Sequence, residues 1–181
     1  NDYIRYPSKW SRQEEVFHLL DTQTSNNVEV TIAAAIQALN VYYLPDFIQW
    51  KLEQGFKKIN MWPFGAGGIS QHFVYWPAHL NVKSLPVDFK AKCRAKYEAW
   101  YPWWEKNWEL GIPTWHKGKV EYDQWRSAEY GIKRLDGILS FMESEDWSQR
   151  LPEMKEFLSL CDRQRNNSFS ATFPEMADIF K

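Results

Sequence analysis

Cysteine is scarce in this chain: Cys93 and Cys161 are the only two among 181 residues. That excludes a disulfide scaffold and any iron–sulfur centre ligated by this chain alone. Each cysteine falls in a helix-like stretch far from the other, so both read as small buried apolar groups in a reducing, cytoplasmic setting. Neither sign of charge is in excess, with 22 Lys and Arg against 23 Asp and Glu, so no global field favours nucleic acid or an anionic membrane. No run approaches the roughly 18 apolar residues that span a bilayer, so no membrane partner is expected. The four histidines, His18, His72, His79 and His116, show no metal-ligand spacing with each other or with the cysteines. No nucleophile elbow, paired-carboxylate pattern or kinase signature occurs. Glycine clusters only at Gly65-Ala-Gly-Gly68. That loop lacks both dinucleotide-binding spacing and the Lys-Ser/Thr of a phosphate loop, and reads first as a turn.

What the chain has in excess is aromatic. Eleven Trp, nine Tyr and eleven Phe make 17% of it, and Trp100, Trp103, Trp104, Trp108, Trp115 and Trp125 crowd the middle third. Such rings either stack on bases or sugars, as a nucleic-acid or carbohydrate-binding module would use them, or fill a core between long helices. The core reading is preferred because no matching basic groove is evident.

Periodicity supplies the elements. After a polar Asp21–Asn27 loop, Val28–Ala35 is β-branched at its start and apolar at its end, as a buried parallel strand should be. Leu44-Pro45 opens a helix with Leu44, Phe47, Ile48 and Leu52 on its core face, and Gly55 closes it. Lys58–Trp62 reads as a second strand and Phe73–Trp76 as a further short one; His79–Leu85 reads as extended. Pro86 then starts a long helix, in which Phe89, Cys93, Tyr97, Trp100, Trp104 and Trp108 share one face and Pro102 is expected to kink or split it. A helix from about Asp123 to Phe141 and a last one from Pro152 follow. Strand, helix, strand is a parallel βαβ unit, and two such strands cannot bury both faces alone. Asn1–Trp10 carries no initiating Met and no opening cap, which reads as the back half of a larger α/β enzyme.

Five ordered segments carry a family resemblance. They are Tyr3-Ile-Arg-Tyr-Pro-Ser-Lys-Trp10, the strand at Val30-Thr-Ile, Leu39-Asn-Val-Tyr-Tyr-Leu-Pro45, His79-Leu-Asn-Val-Lys-Ser-Leu-Pro86, and the ending Asp162-Arg-Gln-Arg165 with Phe173-Pro-Glu175. Together they resemble the C-terminal half of the twitch domain-containing radical SAM proteins of phages and bacteria. The resemblance implies a partial (β/α)6 barrel. Its cysteines, in a C-x-x-x-C-x-x-C loop, hold a 4Fe-4S cluster that cleaves S-adenosylmethionine to a 5′-deoxyadenosyl radical, and a twitch region holds an auxiliary cluster. It implies a cytoplasmic protein, in the host cytoplasm if phage-encoded.

The cluster loop and the auxiliary cysteines are absent from this chain, and Cys93 and Cys161 match neither. The fold class expected is therefore α/β. Residues 1–86 are the second half of the barrel, with about two of its strands, and residues 87–181 are a helical C-terminal extension packed on it as one unit. The chain is expected to be inactive alone, to form one wall of the cofactor and substrate pocket, and to partner the missing N-terminal half, from the same polypeptide or an adjacent gene product. The substrate would be a peptide or small molecule. Gln37 and Asn40 after the first strand, and Asn60, Trp62 and Phe64 at the second, are the candidate cofactor-binding residues. At Ala33 the family often carries a polar residue, which this chain lacks. In the last helix Asp162 and Arg165 lie three apart, so Asp162 is expected to clamp Arg165 and aim it at the barrel edge or a neighbouring loop.

Overall fold

The computed structural model describes residues 2–23, 30–59, 69–111 and 127–180. Helix α1 (Trp10–Gln23) leads to strand β1 (Ile32–Ile36), helix α2 (Leu44–Glu53) and strand β2 (Ile69–Phe73). Helices α3 (Val87–Asn107), α4 (Ala128–Glu143), α5 (Leu151–Arg165) and the short α6 (Phe169–Thr172) follow. The result is a mostly helical, mixed α/β protein around a two-stranded parallel sheet. Among the described residues no helix is long and apolar enough to cross a membrane.

The sheet register pairs Ile32 with Ile69, Ala34 with Gln71 and Ile36 with Phe73 on one face, and Ala33 with Ser70 and Ala35 with His72 on the other. Ile32, Ile36 and Ile69 join the core on the first face, where Phe73 meets Phe141 of α4 with ring centroids 4.0 Å apart. Of the residues on the second face, Ala33 and His72 are exposed, and none of the four belongs to the core. Among the described residues, helices therefore cover one side of the sheet and not the other, unlike the two-sided burial usual for parallel strands.

The second strand is not where the apolar pattern placed it. The backbone N–H groups of Lys57, Lys58 and Ile59 all donate to the Asp21 carboxylate, at 3.0, 2.6 and 3.1 Å, so this stretch is a turn tied to α1. Burial alone would raise the Asp21 pKa, but these three donors outweigh it and the net shift is downward. Residues 60–62, the rest of the expected strand, lie outside the described residues. Of the expected short strand at Phe73–Trp76 only Phe73 is strand, as the last residue of β2, and the expected extended stretch at His79–Leu85 forms two 3-10 turns, Ala78–Leu80 and Val82–Ser84.

The helical half follows the expected periodicity closely. Phe89, Cys93, Tyr97, Trp100 and Trp104 are buried along one face of α3. Their polar atoms are tied outward: Tyr97 Oη donates to the Val41 carbonyl at 2.7 Å, Trp100 Nε1 to Gln49 Oε1 at 3.0 Å, and Trp104 Nε1 to the Ala128 carbonyl at 2.8 Å. Pro102 neither splits nor ends α3. It sits on the exposed side of the helix, where its ring leaves the Glu98 carbonyl without its helical donor. Gly55 closes α2 with a left-handed φ of 66°, as its placement suggested. The C-terminal tail docks through Phe169, Phe173 and Met176, all buried.

Candidate functional site

Among the described residues, two unsealed surfaces belong to the sheet. The first is its open face, where Ser70 Oγ lies 2.7 Å from His72 Nε2. Residues two apart on a strand share a face, so the pair stands beside the small side chains of Ala33 and Ala35. A ring nitrogen engaged by a hydroxyl leaves Nδ1 of this exposed histidine for a ligand.

The second is a cleft of about 530 Å³ along β1, a size typical of ligand sites. Every residue of β1 lines it and no residue of β2 does, so it runs along the strand edge remote from β2. Trp10 and Phe17 of α1 and Phe47 and Trp50 of α2 form its walls, with the Trp10 and Trp50 rings edge to face at 4.7 Å. Ile4 and Arg5 complete one side.

The edge itself can be read group by group. The Ile36 carbonyl accepts from Val74 N–H at 2.9 Å, so Ile36, and by alternation Ala34 and Ile32, point their backbone groups toward β2. Ala33, Ala35 and Gln37 point theirs into the cleft. Asn40 caps this edge at its carboxyl end. Its Oδ1 accepts the Gln37 N–H and its Nδ2 donates to the Ala35 carbonyl, both at 2.8 Å. One carboxamide thus supplies the acceptor and the donor that a neighbouring strand's peptide group would supply.

Of the residues expected from sequence to contact a cofactor, Gln37 and Asn40 both line the cleft. Asn40 has both ends of its amide engaged. Gln37 is only 7% exposed, and its side-chain amide makes no hydrogen bond among the described residues. Asn60, Trp62 and Phe64 lie outside the described residues. Asp162 and Arg165 are elsewhere and do not clamp one another. Asp162 Oδ1 accepts from Tyr3 Oη at 2.7 Å and from the Phe169 N–H at 3.0 Å, while Arg165 donates to the Tyr3 carbonyl at 3.1 Å. Burial first, and then Asp162, push the Tyr3 hydroxyl pKa far up, so it stays a donor. By fixing Tyr3 the two residues position Ile4 and Arg5 at the cleft.

Sequence reasoning missed the edge cap, the aromatic walls and Ser70. The run Ala33-Ala-Ala35 was a usable signal for a small-residue floor, and Ser70-x-His72 for a strand with one uncovered face. The cysteines do not fit an iron–sulfur cluster: both are buried and free, and burial pushes the Cys93 thiol up to about 12. Among the described residues no group of His, Cys, Asp or Glu could hold a metal ion. The chain matches no family model, no curated protein and no solved structure.

Proposed function

We propose that this chain is the C-terminal part of a radical S-adenosylmethionine enzyme of the twitch type, forming one wall of its cofactor and substrate pocket and inactive alone. The observation that supports the reading is the parallel βαβ unit with helices on one face and, among the described residues, none on the other. A sheet face of Ala33, Ala35, Ser70 and His72 suits the inner wall of a partial barrel, where ligands sit near the carboxyl ends of parallel strands. The ordered segments set out above add the family. The iron–sulfur ligands would come from the N-terminal half, since the cysteines here do not fit them, and no chemical step is assigned to this chain. Its own groups would contribute shape, the Gln37 amide, and the Ser70–His72 pair as a polar contact.

Sequencing the DNA upstream tests this. A continuous frame or adjoining gene encoding a C-x-x-x-C-x-x-C loop is expected, and its co-expression with this chain should yield one complex with cluster absorbance. Stop codons in every upstream frame, with no adjoining partner gene, would overturn it.

One observation favours a second reading, the Trp-rich binding module. Tyr75 and Trp76, just past β2, are 64% and 84% exposed, a pair of rings available for stacking. Quenching of Trp fluorescence by single-stranded nucleic acid or oligosaccharide, lost in Trp76→Ala, would support it. The remaining described tryptophans pack wholly or partly into the body, which is why this reading ranks second.

A further inference from the structure

We propose that the free edge of β1 is a docking site for a short extended peptide segment of another protein, added as a third strand. Three backbone groups there, the Ala33 N–H, the Ala33 carbonyl and the Ala35 N–H, face the cleft and make no hydrogen bond among the described residues. Unpaired edge groups are a template for strand addition. Their spacing fits a ligand that alternates donors and acceptors along its length, which is what an extended polypeptide does and a compact planar molecule does not.

Three further observations point the same way. Gln37, more than nine-tenths buried, lines the same cleft, and its side-chain amide, which carries the donor and the acceptor of a peptide group, makes no hydrogen bond among the described residues. Ala33, Ala34 and Ala35 are small enough for another backbone to approach closely, while Trp10, Phe17, Phe47 and Trp50 offer apolar walls for alternate side chains. Arg5 is exposed at the cleft and makes no ion pair among the described residues, so the segment that fits carries an acidic side chain. Asn40 sets the limit of pairing. Its amide already occupies the Ala35 carbonyl and the Gln37 N–H, so an incoming strand ends there.

This does not rest on the enzyme reading and competes with it for this edge, since a preceding barrel strand would pair there. Upstream DNA without a cysteine loop would sink that reading and leave the edge as it is. The test uses the full chain with a panel of soluble peptides of alternating valine and threonine, each with or without one glutamate. Calorimetry should show binding, stronger with glutamate, and hydrogen exchange of the Ala33 and Ala35 amides should slow at least about tenfold in the complex. Ala33→Pro removes a donor that no described residue uses and should weaken binding about tenfold while the chain stays folded. The exchange measurement needs no variant, so the proposal remains testable if Ala33→Pro misfolds. Three results would overturn it: no binding by any peptide of the panel, binding that leaves both amides exchanging freely, or a concentration-dependent dimer that protects them in the absence of peptide. The last would assign the edge to a second copy of this chain.

Discussion

The helical half and the sheet half of this chain obey different rules. In the helical half nearly every large ring and polar tip finds a partner. Arg94 forks onto the Glu143 carboxylate at 2.8 and 2.5 Å, Tyr101 donates to Asp136 at 2.7 Å, and Lys90 Nζ donates to the Glu145 carbonyl at 2.8 Å. In the sheet half a strand edge, a sheet face and a buried carboxamide lack partners among the described residues. Closed packing is the signature of a region whose purpose is stability, and unspent hydrogen-bonding capacity that of a region meant to meet something else.

If the contrast is real, crowding the helical half should do the most damage. A methyl group added at Gly131 of α4 would come 2.2 Å from the Trp104 ring, so Gly131→Ala should destabilise by about 3 kcal/mol in urea unfolding, against the usual gain from Gly→Ala in a helix. Next, Lys51 of α2 is fully buried, and burial holds its pKa near 7. The unfolded chain then binds more protons than the folded one between about pH 7 and pH 10, so stability rises with pH across that window. Lys51→Met should remove this dependence, so its stability relative to the parent chain falls as pH rises from 7 toward 10. A thermal-melt series that shows the same difference at both ends of the window would refute the assignment.

In the sheet half, Asn40→Ala leaves the Ala35 carbonyl and Gln37 N–H bare. It should cost about 1–2 kcal/mol and speed exchange of the Gln37 amide. A larger loss would mean the edge is structural rather than held open. The smallest effect is expected at Gly137, where an added methyl meets nothing within 4 Å. Gly137→Ala should raise stability by up to about 1 kcal/mol, and a loss there would show that α4 is less freely exposed than its packing indicates.

Much of the helical half was legible because its packing follows a helical period: the apolar spacing of α3 and the Pro and Gly punctuation of α2 map directly onto faces and ends. The sheet was harder to read for a physical reason. A parallel strand was expected to be apolar on both faces, and Ile59–Trp62 looks like one, whereas β2 carries Ser70 and His72 on the face that no described helix covers. The function of Asn40 was hidden since nothing local says that its amide stands in for a missing strand. Asp162 and Arg165 were expected to clamp one another, but their shared partner, Tyr3, lies 159 and 162 positions away and spacing cannot reveal it.

That long-range clasp has a kinetic consequence. Closing a loop of that length is entropically slow, so the Tyr3–Asp162 bond should form after the rate-limiting step of folding. Tyr3→Phe should then leave refolding almost unchanged and accelerate unfolding, making this one hydroxyl a brake on how long the folded chain survives.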